Sequence, residues 1–221
     1  MKNKNAIIGI VIAIAVIIIV GIIIAVISTN KGNNENSAST TNIAGQTDKI
    51  TNFIDDNDSY FILIGGKKFS AGDKISALSS VGYKVKESDA NVEVPANKYM
   101  IGAGQMLTSE DKRSFHVTPY NPTSSSSKVS EAVIGEVSLS YDNTKYDKKL
   151  AEIEVYGGIK LTSTMEEVKK VFGEPSSVTE GSTSTTYRYE SEETYRNYKF
   201  IFDKEGKLSG IAWQNLVFNE K

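Results

Sequence analysis

The sequence predicts an α+β protein, with an N-terminal transmembrane helix followed by an antiparallel sheet with few short helices, divisible into two degenerate helix-plus-meander units. Three observations predict it. Residues 6–27 are an unbroken run of Ile, Val, Ala and Gly; later segments alternate apolar and polar residues with period two; and residues 163–175 carry one amphipathic helix pattern with start and stop signals. The expected layout is a cytoplasmic tip at 1–5, a transmembrane helix at 6–27, a disordered linker at 28–47, a first α+β unit at 48–155 and a second helix-plus-meander unit at 156–221.

The 22 residues of the apolar run span roughly 33 Å as a helix at ~1.5 Å per residue, enough to cross a hydrocarbon core of about 30 Å. No charged side chain interrupts the run, so nothing in it marks an ion path. It is longer than the apolar region of a cleaved signal peptide, about 7 to 15 residues, and it lacks an Ala-x-Ala site. An uncleaved signal-anchor is the expectation; cleavage near Val26-Ile27-Ser28, which fits the small-residue rule loosely, is the alternative. Lys2 and Lys4 precede the run, whereas Lys31 and Glu35 are the first charges after it. That asymmetry puts the N-terminus in the cytoplasm and the rest of this single-pass cell-membrane protein on the extracytoplasmic side. Residues 28–47 are mostly Ser, Thr, Asn, Gly and Gln, too polar to bury a core, and form a tether with an r.m.s. span of about 25 Å.

Three of the 25 basic and one of the 27 acidic residues precede Asp48, which leaves 22 basic against 26 acidic and a net charge of −4 from there on. That balance attracts no polyanion, so nucleic acid is not an expected partner. The absence of cysteine removes thiol catalysis, iron–sulfur clusters, thiolate zinc sites and a lipidated N-terminal cysteine. Richness in Lys, Asn, Ile and Ser fits an AT-rich, Gram-positive bacterium.

Along the chain, Asp55-Asp56-Asn57-Asp58 is an acidic turn, since no register supplies the Gly and the distal Glu of a calcium loop. Residues 60–64 and 67–69 are strands about Gly65-Gly66. Asp73 or Ser70 caps a helix that carries Ile75 and Leu78 and stops at Gly82. Short strands follow at 83–86, 92–94 and 99–101. Residues 114–120 and 132–141 alternate and pair across a serine-rich loop at 122–128. In the second half a strand at 153–156 leads through Gly157-Gly158 to the clearest helix. Ser163 and Glu166 form its capping box, Met165, Val168, Val171 and Phe172 its apolar face, and Gly173 with Pro175 its end. Strands at 185–190, 198–203 and 208–214 follow, the last two joined by a turn at Asp203 to Gly206.

Period-two counting puts Tyr187, Tyr189, Tyr198, Phe200, Phe202, Ile211 and Trp213 on one face and Arg188, Glu190, Lys199, Asp203 and Gln214 on the other. The aromatic face packs on the helix in one reading and forms an open ligand platform in the other.

The string from Leu161 to Pro175, with Tyr187-Arg-Tyr-Glu and Tyr198-Lys-Phe-Ile-Phe-Asp-Lys-Glu-Gly-Lys-Leu, resembles the helix and meander of the β-lactamase inhibitory protein fold and of the SmpA/OmlA outer-membrane assembly lipoproteins. The whole layout also resembles uncharacterised membrane-anchored proteins of Gram-positive bacteria. The resemblance covers roughly residues 159–214 and implies units that act by binding other proteins. The lipidated cysteine of those lipoproteins is missing here, and an outer-membrane assembly role would not suit a Gram-positive cell.

No catalytic constellation emerges. His116 is the only histidine, alternates with apolar neighbours and has no Gly-x-Ser-x-Gly nucleophile to serve. Glu166-Glu167 and Glu192-Glu193 fall at a helix start and a hairpin tip, where acids are ordinarily solvated. Gly102-Ala103-Gly104 is too short for a nucleotide loop. The expectation is therefore a non-enzymatic, membrane-anchored extracytoplasmic module that binds a protein or cell-envelope component without metal or cofactor. Its expected contacts are Arg188, Tyr195, Arg196, Lys199 and Gln214. The alternatives are a structural or regulatory accessory subunit of a membrane complex and, ranked third, an envelope hydrolase.

Overall fold

Alternation with period two in the later segments builds the centre of the structure, because strands with one apolar face must cover it. The computed structural model describes residues 53–108, 115–140, 151–192 and 195–216, all within one compact unit, Ile43–Lys221. The run at 6–27 and the linker at 28–47 lie outside the described residues. Among the described residues no helix is long and apolar enough to cross a membrane.

Mostly antiparallel sheet with few short helices is what these residues form. A hairpin joins β1 (Phe61–Ile64) and β2 (Lys67–Ser70). Two small pairs follow: β3 (Tyr83–Val85) with β6 (Met106–Thr108), and β4 (Glu93–Val94) with β8 (Ser127–Lys128). The large sheet has seven strands. Its members, in spatial order, are β10 (Ser177–Glu180), β11 (Ser184–Glu190), β12 (Arg196–Asp203), β13 (Leu208–Asn215), β9 (Val133–Ser140), β7 (His116–Asn121) and β5 (Lys98–Tyr99), every neighbour antiparallel. Strands on both sides of residue 155 share it, because the meander β10 to β13 continues from β13 onto β9.

One face of this sheet is apolar and covered. Val137, Trp213, Tyr198 and Tyr189 form one cross-strand row, and Leu139, Ile211, Phe200 and Tyr187 the next. Helix Met165–Phe172 lies against it, with Val168 and Phe172 buried. The Phe172 ring centroid sits 4.8 Å from Phe200, 5.1 Å from Tyr198 and 5.4 Å from Tyr189. Tyr187 and Tyr189 keep 8% and 3% of their surface, so their face is a packed interior and not an open platform. Such aromatic contacts add about 0.5–1.5 kcal/mol each beyond the area they bury.

Several local expectations shift. The helix starts one residue late: Thr164 Oγ1 accepts from Glu167 N at 3.2 Å and Glu167 Oε2 accepts from Thr164 N at 2.8 Å, so the capping box is Thr164/Glu167, not Ser163/Glu166. Ser163 is already engaged, its Oγ accepting from Lys160 N and its carbonyl from Leu208 N. Residues Ile75–Val81 coil as a 3-10 helix with no side-chain cap, because Asp73 Oδ2 instead accepts from Ser70 N. It ends at Gly82 with φ +86°, where a side chain would be strained. Residues 153–156 form no strand, since only single bridges reach Glu154 and Val155 before the chain turns at Gly157. A Cβ at Gly157 would meet Val171 Cγ1 at 2.2 Å, so glycine lets this turn sit against the helix. Strand β10 escaped the periodic reading because all four of its residues are exposed and show no alternation.

The reassigned cap gives Thr164 a stabilising role and leaves Glu166 outside the capping box. Thr164→Ala should destabilise the full chain by about 1 kcal/mol, whereas Glu166→Ala should change it by less than ~0.5 kcal/mol. Urea unfolding followed by circular dichroism checks both; a larger loss at Glu166 than at Thr164 would favour the Ser163/Glu166 box instead.

Candidate functional site

The face of the large sheet opposite the aromatic layer follows from the same pairing. Register places Thr118, Glu136, Gln214, Asn197 and Glu190 in one row across β7, β9, β13, β12 and β11. The next row is His116, Ser138, Ala212, Lys199 and Arg188. Strands stand ~4.8 Å apart and same-face residues of a strand ~6.8 Å, so the rows form a compact lattice of polar groups. A third row, Ser140, Gly210, Ile201 and Thr186, borders it on one side.

At the opposite border the face becomes apolar. Leu216 follows β13 with the parity of Ala212 and Gln214, and its Cδ2 occupies the space a Cβ on Gly135 would take. Leu216 N donates to the Tyr195 carbonyl, and the Tyr195 ring meets Tyr99 with centroids 6.1 Å apart. Tyr99 lies opposite Tyr120 in register. Tyr195, at φ +69° and 40% exposed, tops this ridge.

Within the polar rows Thr118 Oγ1 donates to Glu136 Oε2 at 3.0 Å, and Asn197 Nδ2 donates to Gln214 Oε1 at 3.1 Å. Arg188 approaches Glu190 loosely, at 4.0 Å. Lys199 stands directly opposite Arg188, two cations side by side across the strands. Burial lowers the Lys199 pKa, the neighbouring Arg188 charge lowers it further, and Glu136 opposes both. Burial likewise raises the Glu136 carboxyl, against the Thr118 hydrogen bond and the Lys199 charge. Lys199 makes no hydrogen bond or ion pair to any described residue.

Four of the five expected contact residues, Arg188, Tyr195, Lys199 and Gln214, therefore share this face. Arg196 does not. It has the parity of Tyr198 and is 7% exposed. Its Nε donates to Asn215 Oδ1, one terminal nitrogen to the Asp55 carbonyl and the other to Asn57 Oδ1. Asn215 Nδ2 also donates to Asn57 Oδ1, and Ser191 Oγ to Asp55 Oδ1. Arg196 is thus a clamp that ties the start of the described chain to the β12–β13 pair. Glu136, Asn197 and Thr118 were missed, although period two already put Asn197 with Lys199 and put Glu136 and Thr118 opposite the apolar positions of their own strands.

His116 is exposed at the end of its row, as alternation predicts. Among the described residues no group of three or more His, Cys, Asp or Glu side chains is arranged to hold a metal ion. A shallow cleft of about 410 Å3 lies beside the helix start, lined by Gly157, Lys160, Thr162, Glu167 and Lys170 among others. Its carboxylate, Glu167, is the one engaged in the capping box.

Comparison of the chain with protein-family models, with characterised proteins and with solved structures gives no match.

Two outcomes follow from these assignments. Arg196→Ala removes a donor from each of the Asp55 carbonyl, Asn57 Oδ1 and Asn215 Oδ1 and should cost about 3 kcal/mol in urea unfolding; a loss under ~0.5 kcal/mol would show that the clamp does not support the fold. Glu136 binds its proton more tightly when folded, so its ionisation costs stability as pH rises from the ordinary carboxylate value through the raised one. Glu136→Gln should therefore gain on the wild type as pH rises from about 4 to about 7. Thermal melts at the two pH values check this, and a difference that ignores pH would refute it.

Proposed function

We propose that the chain is a membrane-anchored extracytoplasmic binding module whose polar sheet face recognises a protein or cell-envelope component. The observation that carries this reading is Lys199. Its ammonium has three donors, is half-buried, faces a second cation across the strands and has no bonded acceptor among the described residues. A partner that brings an acceptor to this point gains a charge-assisted hydrogen bond whose lysine is already partly desolvated. Arg188, Gln214 and Tyr195 surround it on the same face and supply a planar fork, an amide and an exposed aromatic edge. The run at 6–27 and the polar tether at 28–47 would hold this face within a few nanometres of the membrane.

The test uses the full chain in its native membranes. A photo-crosslinking amino acid placed at Arg188 or Gln214 should give a discrete adduct, and Lys199→Ala should reduce its yield about tenfold or more, the loss of roughly 1.5 kcal/mol from a charged hydrogen bond. Absence of any adduct from both positions, or adducts indifferent to Lys199, would count against recognition by this face.

A further inference from the structure

We propose that the occupant of the polar sheet face is a second copy of this chain, packed face to face about a two-fold axis. This rests on the reading of that face as a recognition surface. The axis lies in the interface plane, perpendicular to the strands, midway between the Glu136–Glu190 row and the Ser138–Arg188 row. A two-fold interface requires a self-complementary surface, in which a residue and its contact exchange places between copies.

Charge meets this requirement. The operation lays each position of one row over the neighbouring same-strand position of the other copy. Arg188 comes to face Glu190 of the partner copy, and Glu190 to face its Arg188. Within one copy these two side chains approach only to 4.0 Å and remain 36% and 52% exposed, so both can turn outward.

Hydrogen bonding meets it as well. Lys199 comes to face Asn197 of the second copy. Asn197 spends Nδ2 on Gln214, while its Oδ1 accepts from no described residue. An ammonium and a carbonyl oxygen, neither bonded to a described residue, are thus brought together twice.

Shape follows the same symmetry. Ala212, with Ser138 and Gly210 beside it, forms a low floor, and Gln214 of the other copy stands over it. The Tyr195 ridge at one border lies over the border carrying Gly210 and Ile201, where the small residue and half-buried aliphatic side chain leave room. Five strands by three row spacings outline roughly 24 by 20 Å. That footprint is below the ~800 Å2 per partner of a standard stable interface and fits a weak dimer.

Charge reversal on the full chain in neutral detergent, followed by sedimentation, tests the pairing. The wild type should self-associate, and Arg188→Glu or Glu190→Arg alone should weaken association about tenfold, because each puts like charges at both symmetry-related contacts. The double variant R188E/E190R should recover wild-type association, and a mixture of the R188E and E190R chains should form mixed dimers. The recovery separates surface pairing from misfolding and from association through residues 6–27, neither of which depends on this exchange of charges. A wild type that stays monomeric up to ~1 mM, single reversals without effect, or a double variant without recovery would each overturn the proposal. A crosslink from Arg188 to a different protein, with this chain monomeric, would also overturn self-pairing while leaving the recognition reading intact.

Discussion

The aromatic layer between helix Met165–Phe172 and strands β11 to β13 is the contact on which the remaining structure depends. Phe172 touches three rings of the sheet, and Tyr198 stacks on Phe200 and Tyr60, so one layer joins the helix, the meander and the first hairpin. Tyr198 also donates its hydroxyl to the Ser59 carbonyl, which satisfies a polar group that would otherwise be costly at full burial. Burial raises the Tyr198 pKa well above its ordinary value, so the hydroxyl remains a donor at physiological pH.

Covering one face decides the character of the other. Strand side chains alternate, so every residue committed to the aromatic layer sends its neighbours to the opposite surface. That surface inherits Arg188, Lys199, Gln214, Asn197 and Glu136 in fixed cross-strand rows. Two cations in direct opposition are unfavourable between strands, and burial of Lys199 adds to the cost. The arrangement persists because the core face over-determines the register: shifting β12 by one residue would expose Tyr198 and Phe200 and bury Lys199.

The Arg196 clamp illustrates a second consequence of parity. Its guanidinium lies on the core side of β12, where the fork geometry binds Asn215, Asn57 and the Asp55 carbonyl together. A charged residue beside a hairpin tip looks like a surface contact in a linear reading. Its even number, shared with Tyr198, Phe200 and Phe202, already carried the opposite message.

Antiparallel strands, the helix at 165–172, the turn at Gly206 and the polar face with Arg188, Lys199 and Gln214 were legible in the sequence, because each rests on a local period or a local backbone requirement. The cap at Thr164 was not, since Ser163 is diverted by a hydrogen bond to Leu208, far along the chain. Nor was the failure of residues 153–156 to become a strand, which depends on whether a partner edge is available. By itself the sequence determined which residues could alternate, cap and turn, because those properties belong to neighbours within a few positions. Only the tertiary structure decided that strands from both halves share one sheet, that Arg196 is interior, and that Lys199 has no bonded acceptor among the described residues. Those three outcomes depend on partners brought together from distant positions, where pairing and burial select among locally equivalent choices.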